Sequence, residues 1–404
     1  MAERRVCVVT GTRADYGMLR PLLQAVAGAP GLRLQLVATG THLSPAFGHT
    51  LEEIRADGLE PDAEVPCLLA GDDALAVAQS AGLALLGLAG ALARLRPDVV
   101  VLLGDRYEAL AAAQAAYLQR LPVAHLAGGD LTEGSLDDGL RHALTKLAHL
   151  HFVTHADAEE RVLQMGEEPW RVHRVGSLAV DAVLRAPRAS REELERELAW
   201  RLRPRNLLVS FHPPTVRAEA AEAELEELLA ALEGLGPEVG IVLTGSNADE
   251  AGLRLSRRLE AFAAGRPHVL YRPSLGQRRY LGLMALADAV VGNSSSGLYE
   301  APSLGTPSVD VGERQRGRPR AASVLHCPPR REAIRAAVER ALALGRVRVA
   351  NPYGDGRAAG RIVAVLRELP SRERLLRKRF QAPPARPLHE DPQEAEGSSC
   401  PTET

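Results

Sequence analysis

The chain has 404 residues, more than a single hydrophobic core usually organises, so two domains are expected. Hydrophobic residues make up 46% and charged residues 25%, a composition that excludes global disorder. Lys and Arg number 49 against 51 Asp and Glu, a formal charge of −2, so no overall field recruits nucleic acid or an anionic membrane.

The first segment, "MAERRVCVVTG", passes from charge straight into a strand, without the apolar stretch of about 7–15 residues that a secretory signal needs. No run of about 18 uninterrupted apolar residues offers a membrane helix. Cys7, Cys67, Cys327 and Cys400 stand far apart with no CxxC spacing, so they read as reduced thiols; no metal site and a cytoplasmic protein are expected.

Short β-branched runs then alternate with Ala/Leu-rich segments of helical length, the pattern of parallel strands covered by helices on both faces. Strands are expected at residues 4–11, 32–40, 98–105, 122–129, 150–154 and 172–177. After Val180 the chain becomes charged, and a second series follows at 206–212, 240–246, 268–274, 288–295, 306–312 and 323–327. The expected fold class is α/β, with two Rossmann-like doubly wound domains separated by a cleft. Residues 1–185 form the first, 186–369 the second, and 370–404, rich in Pro, Glu and Ser, a disordered tail. Ligands of open α/β sheets bind outside the carboxyl ends of the strands, and the polar clusters fall there.

The first cluster, "TGTRADYG", joins strand to helix, where Arg13 can present a planar fork to phosphate. "LLGDRYE" puts Asp105 and Arg106 at the end of an apolar strand. "HLAGGDLTEGSLDDGLRH" follows the next strand with Asp130, Glu133, Asp137, Asp138 and His142; Asp138 and His142, four apart, share a helix face. Helix capping explains Asp137 and Asp138 but not Asp105, Asp130 and Glu133 as well. Carboxylates crowded over an apolar floor should repel one another, raise some pKa values and separate an acid from a base.

In the second half, His212 ends a strand that Pro213 stops. "GNSSSGLYEAP" offers Ser294, Ser295, Ser296 and Gly297 at a predicted helix start, a donor-rich place for a diphosphate, with Glu300 positioned to accept from a ribose diol. Arg314, in the basic run "GERQRGRPR", is a further phosphate candidate.

Together "GTRADYG", "GTHLSPAFG", "GDRYEALAAA", "GGDLTEGSLDDGLRHALTKLAHLHF", "HPPT", "GNSSSGLYEAP", "GERQRGR" and "NPYGDGRAAGRI" resemble, in order and spacing over roughly residues 4–365, the hydrolysing UDP-N-acetylglucosamine 2-epimerases of sialic-acid and related nonulosonate biosynthesis. That resemblance implies a GT-B-like fold shared with a class of nucleotide-sugar glycosyltransferases, with the nucleotide sugar in the interdomain cleft. It also implies a homodimer or homotetramer, and no cofactor. The implied reaction is anti elimination of UDP to 2-acetamidoglucal followed by hydration, which turns UDP-N-acetylglucosamine into N-acetylmannosamine and UDP. By the same resemblance Asp105, Asp137 and Asp138 belong to the acid/base set and His212 meets the sugar or diphosphate. Arg13, Ser294, Ser295, Glu300 and Arg314 match UDP-binding positions.

One position departs from the family: Ala127 stands where many relatives carry glutamate or histidine. Asp130 or Glu133 is expected to take over part of the proton transfer, ahead of a different substrate or a loss of activity. A glycosyltransferase of the same architecture and a catalytically inactive nucleotide-sugar binder are the alternative functions.

Overall fold

Val- and Leu-rich runs with few polar interruptions can be buried on both faces only inside a helix-covered parallel sheet, and they are. The computed structural model describes residues 3–45, 48–71, 73–132, 136–213, 221–245 and 250–382. The first sheet holds β1 (Arg4–Thr10), β2 (Leu32–Thr39), β3 (Ala63–Val65), β4 (Val99–Leu103), β5 (Val123–Leu126), β6 (Leu150–Val153) and β7 (Val172–Arg174). The second holds β8 (Arg205–Ser210), β9 (Val239–Thr244), β10 (Val269–Arg272), β11 (Ala289–Gly292), β12 (Ser308–Val311) and β13 (Val324–Cys327). The pairings are parallel, in the orders β3-β2-β1-β4-β5-β6-β7 and β10-β9-β8-β11-β12-β13. Only β3 has no counterpart in the sequence reading; it is a three-residue edge strand with one buried side chain, too short to show a period.

Strand order reverses between β1 and β4 in the first sheet and between β8 and β11 in the second. Connections leave in opposite directions at such a point and open a crevice at the carboxyl ends. The turns after these four strands carry Asp15, Asp105, His212 and Ser294–Ser296, so topology alone gathers chemistry there.

The helix Ala74–Leu95 starts on Asp73, whose carboxylate accepts from the Ala76 amide. Gln79 and Ser80 interrupt its apolar sequence, yet by length and mean hydropathy of 1.8 it could cross a membrane, which a search for uninterrupted runs overlooks. Here its inner side, Ala84, Leu88, Ala91 and Leu92, is fully buried against the first sheet, while Leu75 and Leu86 are exposed. Cys7, Cys67 and Cys327 are free, buried thiols; Cys400 lies outside the described residues.

The chain does not end in the second unit. Helix Ala358–Arg367 returns to the first, placing Ala358, Ile362 and Leu366 in the core of β1, β4, β5 and β6. Its two leading amides donate to the carboxylate of Asp181, buried in helix Leu178–Arg185, at 2.9 Å each. That carboxylate replaces the cap that Arg357 does not supply. Helix Arg372–Leu376 follows, with Leu375 buried in the same core. Residues 358–382 therefore depart from the expected assignment, which put 186–369 in the second domain and left 370 onward without structure. The reason is apolar: Ile362, Leu366, Leu369 and Leu375 fill the first core, and composition averaged over the Pro- and Glu-rich end hides them. Residues 383–404 lie outside the described residues.

Candidate active site

A cavity of about 280 Å³ opens between the two units. Its first wall comes from strand ends in spatial order: Asp15 after β1, Leu103, Gly104 and Asp105 at β4, Leu126, Ala127 and Asp130 at β5, Thr154 after β6, and Gly176 and Ser177 after β7. The facing wall consists of Ser295, Ser296, Tyr299, Glu300 and Arg318.

Arg141 organises the acids. Its buried guanidinium is paired with Asp105, donates to Asp138 at 3.0 Å and to the Asp130 carbonyl at 2.7 Å, and reaches the Thr132 hydroxyl at 2.9 Å. Asp138 also accepts from the Thr132 amide at 2.8 Å, and His142 lies 3.6 Å from it on the shared helix face. Asp130 accepts from the Thr154 hydroxyl and stands 3.4 Å from His155. Burial pushes the Asp105 carboxyl above its ordinary range, against the pull of Arg141; repulsion from Asp137 is a smaller contribution. Desolvation, more than crowding of like charges, tunes this acid.

Ala127 is one of few non-glycine residues with positive φ, at 63°. The left-handed turn aims the strand end into the cavity and costs about 1–2 kcal/mol for a residue with a Cβ. Its amide still donates to the Phe152 carbonyl at 3.0 Å, so the turn is held by the sheet.

On the facing wall the predicted helix is one turn, Ser296–Tyr299, followed by the turn Pro302–Leu304, because Pro302 cannot continue the backbone ladder. A macrodipole is therefore not what this segment supplies. Its hydroxyls form a chain instead: Ser296 lies 2.6 Å from Tyr280 and 3.1 Å from Ser294, and Ser210 lies 2.7 Å from Thr244. Gly297 accepts from Ser308 through its carbonyl, behind the wall. His212 is locked at the main chain, its amide donating to Asn293 and its carbonyl accepting in return, at 2.8 Å each. Arg314 donates to the Asn293 carbonyl at 3.1 Å, while its Nε is buried with no partner among the described residues. Burial and the neighbouring Arg318 hold the Arg314 guanidinium below its usual range, which an anion arriving in the cleft would reverse. Arg318 spans the cleft, 2.6 Å from Gln315 and 3.4 Å from the Thr132 hydroxyl.

Burial pushes Glu300 up to about 7. Because its folded value exceeds the ordinary 4.5, the folded state binds the extra proton between these two values, and its stability falls as pH rises through about 7. Glu300→Gln removes that dependence. Thermal melts are expected to show the variant gaining on the native chain between pH 5 and pH 8.

The structure brings together Asp105, Asp130, Ser295, Ser296 and Glu300 on the cavity, with Asp138 and His142 behind Arg141. Glu133 lies outside the described residues. Asp137 is exposed at the helix start. Arg13 departs from expectation: it is exposed, paired with Glu53 at 3.1 Å, and does not line the cavity. Arg106 is drawn onto the buried Glu108, at 2.9 and 3.1 Å, rather than into the cavity. Asp15, Thr154, Tyr299 and Arg318 are cavity residues that the sequence reading did not single out.

Two parallel doubly wound units with a cleft lined from both sets of strand ends define a GT-B-like α/β protein. The crystal structure of UDP-GlcNAc 2-epimerase from Neisseria meningitidis bound to UDP-GlcNAc shares this fold, with a TM-score of 0.73 at 18% identity, covering 90% of this chain and 100% of that one. Residues 24–367 match the family described as UDP-N-acetylglucosamine 2-epimerase, and the chain belongs to that family. It is 39% identical over 326 residues to the GDP/UDP-N,N'-diacetylbacillosamine 2-epimerase (hydrolyzing) of Campylobacter jejuni, covering 80% of this chain and 84% of the relative. It is 31% identical over 375 residues to the UDP-N,N'-diacetylbacillosamine 2-epimerase (hydrolyzing) of Legionella pneumophila, covering 93% and 98%.

Proposed function

We propose that the protein is a hydrolysing 2-epimerase of a UDP-2-acetamido sugar, working by anti elimination of UDP through a 2-acetamidoglucal and hydration of that intermediate. The observation that carries this reading is a desolvated carboxylate, Asp105, ion-paired with a buried Arg141 and facing the Ser295–Glu300 wall across one cavity. The C2 proton of such a sugar is weakly acidic, so a base with a raised pKa and stabilisation of the departing diphosphate must share the barrier. Asp105 serves as the base, Asp130 and Asp138 complete the acid/base and positioning set, and His212 and Arg314 meet the diphosphate. Glu300 and the serines hold the nucleotide end.

The sequence reading favours UDP-N-acetylglucosamine. The cavity floor of Leu103, Leu126, Ala127, Phe152, Leu178 and Ile362 supports a more apolar sugar. A 2,4-diacetamido-2,4,6-trideoxy sugar presents three methyl groups to such a floor where N-acetylglucosamine presents one, and each buried methyl contributes about 0.8 kcal/mol. The two diacetylbacillosamine relatives point the same way. We therefore assign the diacetamido nucleotide sugar as the preferred substrate.

The test is incubation with both UDP-sugars in deuterated water. Free UDP and one deuterium at C2 of the released sugar are expected, with the higher kcat/KM for the diacetamido substrate. Tight binding without UDP release identifies a nucleotide-sugar binder instead. UDP release that requires an acceptor and leaves C2 unlabelled identifies a glycosyltransferase.

A further inference from the structure

Asp15 enters the cavity from the first turn of helix Arg13–Ala27, directly after β1. Since β1 and β4 are hydrogen-bonded neighbours at the point where strand order reverses, Asp15 and Asp105 stand on the two sides of that crevice. Their surroundings differ. Asp105 is ion-paired with Arg141, whereas no ion pair reaches Asp15 among the described residues. The guanidinium whose charge acts on Asp15, Arg106, is taken up by Glu108. Thr12 caps the helix through the Asp15 amide at 3.1 Å, so the cap does not need the Asp15 carboxylate. A carboxylate serving only a helix N-terminus would be held low by the dipole. Burial instead pushes Asp15 up to about 6, with Arg106 and Thr12 pulling down and Glu108 and Asp105 adding to the rise.

We infer that Asp15 is a catalytic residue, the donor that returns a proton to C2 during hydration, standing across the strand-order crevice from the Asp105 base on the same cavity wall. The inference rests on the elimination and hydration reading above. In the elimination, Asp105 takes the C2 proton, that C–H pair becomes the C1–C2 double bond, and the C1–O pair leaves with UDP. In the hydration, Asp15 gives its proton to C2, the oxygen of water bonds to C1, and the proton shed by water restores Asp15. Asp105 returns its proton to solvent. A donor distinct from the base lets the proton return to C2 from a different group than the one that removed it, and Asp15 supplies an acid that Ala127 does not.

The experiment follows UDP, 2-acetamidoglucal and free sugar together by NMR for the native protein and Asp15→Asn. Native turnover must come first, because absent UDP release overturns the function proposed above rather than the role of Asp15. With turnover established, Asp15→Asn is expected to lower free-sugar formation by about 10²-fold or more, the range of a lost general acid. UDP release should fall far less, and the glucal should appear in solution. Asp15→Glu should recover part of the sugar formation. Sugar formed at the native rate, or UDP release and sugar formation lost to the same degree, overturns the inference. If the amide variant does not fold, the native protein decides: the glucal fraction should climb as pH rises from 6 to 8, and a constant fraction overturns the assignment.

Discussion

Asp105→Asn is expected to lower kcat by roughly 10³-fold while leaving UDP affinity within a few fold, since the amide can neither accept the C2 proton nor disturb the facing wall. The fold should survive. Arg141 keeps Asp138, the Asp130 carbonyl and the Thr132 hydroxyl, so its guanidinium is not left unpaired in the interior. The sign of the stability change follows from the raised Asp105 pKa. A carboxyl whose folded value exceeds its unfolded one destabilises the folded state once it ionises, and the amide does not ionise. The variant should therefore melt at the same temperature as the native chain or above it, with the gain growing as pH rises out of the acid range. UDP release and calorimetry on the same samples check both halves. A dead variant that also melts many degrees lower would make Asp105 a structural residue and remove the base from the mechanism.

Much of this architecture is legible from residues alone because parallel strands buried on two faces leave continuous apolar runs, and β4, with "VVVLL", could hardly be anything else. The turns after those strands are also legible, since Gly, Asp and Ser must follow an apolar strand that ends at a ligand cleft. Which side chain of a turn faces the cleft is not legible. Arg13 and Asp15 are two residues apart on one helical turn, and only the helix axis, fixed by packing on the sheet, decides that Asp15 faces in and Arg13 meets Glu53. Arg106 follows the same rule: a buried carboxylate two residues on, Glu108, outbids a distant phosphate for its fork. Ala127 is visible as a missing acid, but its left-handed backbone is not, because the conformation is imposed by the adjoining Phe152 strand. The return of residues 358–382 to the first unit is a long-range pairing that no local period encodes.

Arg171 tests that return. Its fully buried guanidinium donates to four carbonyls: His149 at 3.1 Å, Leu375 at 2.8 Å, Arg374 at 3.3 Å and Arg377 at 2.8 Å. Three of these lie at the end of helix Arg372–Leu376, where backbone acceptors have no partner within the helix. Glu168 pairs with the same group at 2.6 Å, and Trp170 stacks on it with its ring centre 4.1 Å away. Nearby, Lys378 donates to the Ala148 carbonyl at 2.7 Å and pairs with Glu167 at 2.7 Å. Burial works against the ionised Glu167, but His151, Lys146 and Lys378 outweigh it and hold that carboxyl down to about 2. Arg171→Ala leaves Glu168 unmatched and the carbonyls without donors, so a loss of about 3–5 kcal/mol is expected, as for other broken buried ion pairs. Arg171→Lys should recover little, because one ammonium cannot reproduce a planar fork. An exposed arginine calibrates the measurement: Arg335→Ala, which removes an ion pair to Glu339 at 2.9 Å on a helix surface, should cost under about 0.5 kcal/mol. Urea unfolding gives both values, and limited proteolysis after residue 370 should quicken only in the Arg171 variant. Equal costs for Arg171→Ala and Arg335→Ala would mean that the returning segment is held by its apolar side chains alone, with Ile362, Leu366 and Leu375 doing the anchoring in place of the guanidinium.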